Sequence, residues 1–118
     1  MDESVAHELL RAACAATLER IRSMSRDFDG IVAASADTNA DDEHDPEGQT
    51  IAFERAQVAA LLAQARAQLD DIEMAAARLA DGTYTVCERC GGPIATERLE
   101  ARPAVRTCIA CAPSVHRA

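Results

Sequence analysis

Two heptad-spaced apolar seams, a polar breaker-rich stretch between them and two C-x-x-C pairs late in the chain predict the fold class. It is mainly α: an antiparallel two-helix coiled-coil hairpin followed by a small four-cysteine zinc ribbon. The expected division is residues 1–82 for the hairpin with an acidic tip at about 37–50, residues 83–113 for the ribbon, and residues 114–118 for a short C-terminal tail. A length of 118 residues suits one ordinary domain and excludes two enzyme-sized ones. Hydrophobic residues make up 48% of the chain but aromatics only 3%, so thin helical packing suits it better than a thick core.

The first seam is Leu10, Cys14, Thr17, Ile21, Met24, Phe28 and Ile31, alternating steps of four and three. The second is Val58, Leu62, Ala65, Leu69, Ile72, Ala76 and Leu79, and Ile51 extends it backwards by seven. Two seams in one chain can close on each other. The simplest closure turns near residue 41 and sets Ile21 opposite Leu62, Met24 opposite Val58 and Cys14 opposite Leu69. A helix from Ile51 to Leu79 would be roughly 43 Å long, which predicts a rod. Asp45-Pro46 is a good helix start, because Asp can cap free amides and Pro loses nothing at the first helical position. Asp81-Gly82 is a good stop, because Gly takes the left-handed conformation that ends helices. Gly48 weakens the first turn of the second helix by up to about 1 kcal/mol relative to alanine.

Charge is unevenly placed. The net charge is -8, and all twelve basic residues are arginine. Residues 2–81 hold 17 acidic and 7 basic side chains, whereas residues 87–118 hold 3 acidic and 5 basic. The long acidic part would repel a duplex, since phosphate binding needs clustered cations to release counterions. Protein partners are favoured, and no sequence-specific DNA binding is expected. No apolar run reaches about 18 residues, and Met1-Asp2-Glu3 lacks the features of a signal peptide. No membrane association and a cytoplasmic location are therefore expected.

Cys87-Glu88-Arg89-Cys90, then seventeen residues, then Cys108-Ile109-Ala110-Cys111 has the spacing of a structural zinc site. The candidate ligands are Cys87, Cys90, Cys108 and Cys111, for one structural Zn2+. Gly91-Gly92 eases the turn after the first pair. Four thiolates fill a tetrahedral sphere, so no position is left for a reactive water. About 30 residues cannot build a sufficient core, and metal binding would supply the missing stability. A disulfide framework or a redox dithiol are the competing readings; neither has an export signal or a thioredoxin-like strand pattern behind it. Cys14 sits in the first seam and reads as core packing. His7 and His116 read as solvated.

Asp37, Asp41, Asp42, Glu43, Asp45 and Glu47 form an acidic stretch with no Lys or Arg among them. Three readings stand beside one another. It is a solvated turn, a calcium loop, or a set of carboxylates steered to a basic or metal-containing site on a partner. The calcium reading lacks two features of an EF-hand loop, because Asp42 takes the place of the turn glycine and Gly48 that of the bidentate glutamate.

Cys87-Glu88-Arg89-Cys90-Gly91, Arg98-Leu99-Glu100-Ala101-Arg102-Pro103 and Cys108-Ile109-Ala110-Cys111 together closely resemble the C-terminal ribbon of the DksA/TraR family. The resemblance covers about residues 79 to 111; the hairpin resembles the family in layout more than in letters. It implies a transcription regulator that binds RNA polymerase, inserting the coiled-coil tip into the secondary channel so that acidic residues modulate initiation. The tip residues it suggests are Asp42, Asp45 and Glu47. Against the family pattern Asp-x-x-Asp-x-Ala, Gly48 stands where Asp45-Pro46 would call for the second Asp, and Thr50 stands for the Ala. The chain ends seven residues after Cys111, so the C-terminal helix of longer members is expected to be short or missing, and a ppGpp site that depends on it is not carried over.

An enzyme is not expected: there is no Ser-His-Asp or Cys-His arrangement, phosphate-binding glycine loop or open metal site. The alternatives are an adaptor for another protein assembly, or a ribbon that contacts nucleic acid through Arg89, Arg98, Arg102 and Arg106. Glu88, Glu97 and Glu100 beside these arginines favour surface pairs or partner contacts over a phosphate-binding patch.

Overall fold

The computed structural model describes residues 1–36 and 46–113. Three helices account for most of them: α1 (Glu3–Ala36), α2 (Pro46–Asp81) and the short α3 (Thr96–Ala101). Among the described residues there is no strand, only one antiparallel β-bridge between Val86 and Pro93. The mainly α expectation is borne out. No described helix is long and apolar enough to cross a membrane.

The ends of the long helices follow from local chemistry. At the start of α1 the Asp2 carboxylate accepts the backbone N–H of Ser4 at 3.1 Å, and the Asp2 carbonyl accepts that of Ala6 at 3.0 Å. Asp2 is thus an N-cap, satisfying an amide that has no partner inside the helix. The second helix begins at Pro46, where its missing N–H is no loss. It stops at Gly82, whose φ of 81° turns the chain away. The N–H of Gly82 then reaches the Leu79 carbonyl at 3.2 Å and that of Thr83 reaches the Arg78 carbonyl at 2.9 Å, the paired bonds of a Schellman cap.

By internal contacts the chain divides into two units. Unit 2 is Ala16–Gln68, the parts of α1 and α2 on either side of their connection. Thr17, Leu62 and Ala65 are its buried residues among those described. Ile21, Met24, Phe28, Ile31, Ile51 and Val58 are half-buried, as expected where each helix has one neighbour. The Arg20 guanidinium donates to the Gln68 side-chain oxygen. Met24 lines a groove with Leu61 and Ala65, which lie three and seven residues along α2 from the expected partner Val58.

Unit 1 is Met1–Ala15 together with the chain from Leu69 onward. Its core is one cluster: Ala6 and Leu10 from α1, Ile72 and Ala75 from α2, and Tyr84, Cys87, Ile94 and Leu99 from the segment after α2. Cys14 and Leu79 pack against it, so the seam reading of Cys14 holds. One seam position needs correction. Ala75 is completely buried and Ala76 is exposed, the reverse of the heptad count. A straight helix drifts by about 20° per heptad, and here the surface to be matched includes Tyr84, Ile94 and Leu99 as well as α1.

Candidate metal centre

A tight turn brings the first cysteine pair together. The chain leaves the Schellman cap, and the Val86 N–H bonds the Thr83 carbonyl at 3.1 Å. Around the Val86–Pro93 bridge the Cys87 N–H donates to the Gly92 carbonyl at 2.7 Å, and the Ile94 N–H to that of Thr85 at 2.8 Å. The Gly91 N–H closes the loop on the Cys87 carbonyl at 2.9 Å. This loop needs a left-handed residue, and Gly91 supplies it with φ of 75°. The Gly92 N–H then points at the Cys90 Sγ at 3.3 Å.

The second pair is a matching turn, in which the Cys111 N–H reaches the Cys108 carbonyl at 3.1 Å. Here α3 contributes position: Leu99 is completely buried in the cluster. Tyr84, the chain's one tyrosine, donates its hydroxyl to the Pro103 carbonyl at 2.7 Å and so fixes the return of the chain.

The four sulfurs of Cys87, Cys90, Cys108 and Cys111 all lie within 4.8 Å of one another. The Sγ atoms of Cys90 and Cys108 are 3.8 Å apart. A tetrahedral zinc ion with Zn–S of about 2.3 Å requires S···S separations of about 3.8 Å, so the donor set fits the ion in type, number and spacing. The four thiols do not share one environment. Backbone N–H groups of Cys90 and Cys108 pull the Cys87 thiol down to about 6. Hydrogen bonds to Cys108 and Cys90 push the Cys111 thiol up to about 12. One sulfur ionises readily because backbone amides face it, and another holds its proton because neighbouring sulfurs hydrogen-bond to it.

Two of the four arginines weighed for nucleic-acid contact have partners within the structure. Arg106 pairs with Asp71 of α2 at 3.1 Å and contacts the Met74 sulfur. Arg98 donates through Nε to the Thr107 carbonyl at 2.8 Å. With both half-buried and bonded, the phosphate-contacting reading of the finger loses two of its four cations. The only sequence signal for Arg98 was its place in the Arg98–Pro103 run. For Tyr84 it was its rarity, since a lone large aromatic in an alanine-rich chain is a natural core anchor.

The predicted tip residues are not gathered into a described site. Asp42 and Asp45 lie outside the described residues, and Glu47 is in the first turn of α2.

Residues 82–115 match the model of the prokaryotic dksA/traR C4-type zinc finger. An uncharacterized protein of Aquifex aeolicus (strain VF5) is 45% identical over 51 residues, which are 43% of this chain and 35% of that protein. The chain thus matches about a third of that relative's length. Among solved structures, that of transcription factor DksA2 from Pseudomonas aeruginosa aligns with a TM-score of 0.53 at 24% identity, covering 87% of this chain and 79% of that one. This likeness is one of fold. Together with the sulfur cluster, the family match establishes one structural zinc ion.

Proposed function

From the premise that residues 82–115 are a zinc finger of the DksA/TraR family, we propose that this chain is a transcription regulator that binds RNA polymerase. The observation that carries the reading is a combination: a zinc finger of that family on a chain whose two-helix fold aligns with a transcription factor over 87% of its length. The hairpin of residues 1–82 enters the secondary channel, and Asp42, Asp45 and Glu47 meet the polymerase near its catalytic site to modulate initiation. Residues 83–113 are the zinc ribbon and residues 114–118 a short tail.

Cys87, Cys90, Cys108 and Cys111 are the zinc ligands, and with four thiolates around it the ion supplies structure. The protein works by binding, without catalysis of its own, in the cytoplasm. Negative charge agrees with this mode of action: residues 2–81 are strongly acidic, so the chain reaches the promoter complex through the polymerase and not through DNA.

The test is co-purification of the full chain with core RNA polymerase, with competition by another secondary-channel factor, followed by transcription in vitro. Saturable binding that the competitor abolishes, with altered transcript output, is the expected result. Failure to bind would sink the polymerase reading and leave an adaptor for another protein assembly.

A further inference from the structure

Three consecutive carbonyls lead into the second cysteine pair, and each accepts a donor from a different part of unit 1. The Val105 carbonyl faces Arg78 Nη2 of α2 at 3.4 Å. The Arg106 carbonyl accepts the Glu88 N–H, inside the first knuckle, at 2.9 Å. The Thr107 carbonyl accepts Arg98 Nε of α3 at 2.8 Å. The last of these is adjacent to a sulfur ligand, because the Thr107 carbonyl and the Cys108 N–H belong to one peptide group.

We infer that Arg98 is a positioning residue of the metal centre: through the Thr107 carbonyl it sets the peptide plane from which Cys108 projects its sulfur toward Cys90. A peptide group is rigid, so fixing the direction of its oxygen fixes its N–H and the start of the next Cα. The Cys108 side chain then has only its own φ and χ1 to adjust. The bond has the attributes of a built contact. It is short, its donor is cationic, and its guanidinium is half-buried on a helix anchored by the fully buried Leu99. Arg78 acts on the same segment over a longer distance and is the weaker restraint. Arg106 contributes through its backbone, while its side chain holds Asp71.

Arginine suits this task because its Nε–H lies in a planar fork and has a fixed direction once the stem is packed. A lysine ammonium at the same place is a mobile point charge that can reach the oxygen without dictating its direction. Partners one step behind a metal ligand typically affect metal affinity by about 10- to 100-fold when removed. The lower end of that range is expected here, since the bond acts through a peptide group and not on the sulfur itself.

The experiment compares the full chain with Arg98→Met, Arg98→Lys and Arg102→Ala. Methionine keeps the stem that packs but carries no donor. Zinc release to a colorimetric chelator, the visible absorption of the cobalt(II)-substituted protein and far-ultraviolet circular dichroism are read in parallel. The expected result is on the order of tenfold faster zinc release for Arg98→Met with unchanged helical signal, and shifted cobalt d–d bands that report a distorted tetrahedron. Arg98→Lys should recover part of the rate but not the band positions. Arg102→Ala, at the exposed end of the same helix, should behave as the parent. Parent-like zinc release and cobalt bands in Arg98→Met would overturn the inference. So would an equal shift in Arg102→Ala, which would mean that overall charge near the ion is the cause. If Arg98→Met loses its helical signal, Arg98→Lys decides: parent-like cobalt bands in that variant would also overturn it.

Discussion

The hydroxyl of Tyr84 donates to the carbonyl of Pro103 at 2.7 Å, joining the residue that leaves the cap of α2 to the one that follows α3. The ring is buried in the cluster with Leu99 and Ile94, so the bond lies where water competes poorly. Replacing Tyr84 by Phe keeps the ring and orphans the carbonyl, and should cost about 1 kcal/mol in urea unfolding of the zinc-loaded protein. Burial raises the Tyr84 hydroxyl above its ordinary pKa of 10.0, with Arg78 opposing. A raised pKa means that the folded state holds its proton longer than the unfolded one. The associated stability is complete below the ordinary tyrosine value and fades as pH rises through the folded value. The parent should therefore lose stability more steeply than Tyr84→Phe above about pH 10, and parallel pH profiles would contradict this.

Zinc removal should reach beyond the finger. The core of unit 1 interleaves Tyr84, Cys87, Ile94 and Leu99 with Ala6 and Leu10 of α1 and Ile72 and Ala75 of α2. In small zinc domains the metal contributes about 10–16 kcal/mol of apparent binding energy, which is folding energy. When it is chelated, hydrogen exchange should accelerate across residues 84–111. The same experiment should show faster exchange at Ala6–Leu10 and Ile72–Leu79, whose apolar partners are lost. Unchanged protection at those helix positions would show that they are held by α1 against α2 alone.

Much of this was legible from the sequence because it rests on local chemistry. Pro46 and Gly82 bound α2 for reasons internal to a helix, and the C-x-x-C spacing announced the sulfur cluster. The seams located the buried stripe through Ile72, then erred by one residue at Ala75, where the neighbours come from distant sequence. Asp2 as the cap of α1 could have been read from the residue type alone. The bonds of Arg98 and Arg106 could not, since a charged side chain does not reveal which carbonyl or carboxylate the fold will bring to it.

Gly91 offers a sharper test of the first knuckle than any ligand substitution, because it changes no donor. At φ of 75° an L-residue is strained, while a Cβ there would meet no neighbour within 4 Å. Gly91→Ala should therefore cost only the backbone term of about 1–2 kcal/mol, or roughly a tenfold loss of zinc affinity by chelator competition. Gly92→Ala is a different case: its Cβ would sit 3.3 Å from the Cys90 sulfur. That crowding pushes directly on a candidate ligand, so its cobalt spectrum should shift, whereas Gly91→Ala should keep the parent's bands at lower occupancy.

The acidic stretch is where the proposed activity is most exposed to experiment. A surface ion pair is typically worth about 0.2–1 kcal/mol, so losing one such pair with the polymerase should weaken binding by no more than about fivefold. Their position would matter more than their energy, if they meet the polymerase near its catalytic site. Asp45→Ala with Glu47→Ala should leave co-purification with core polymerase largely intact and change transcript output in vitro. Asp42→Ala tests a second register in the same assay, because Asp42 and Asp45 are themselves spaced as the two acids of Asp-x-x-Asp, with Glu47 in the place of the Ala. The variant that changes output identifies the working register. If binding and output stay at parent levels in both variants, the stretch is a solvated turn and regulation must act through another surface.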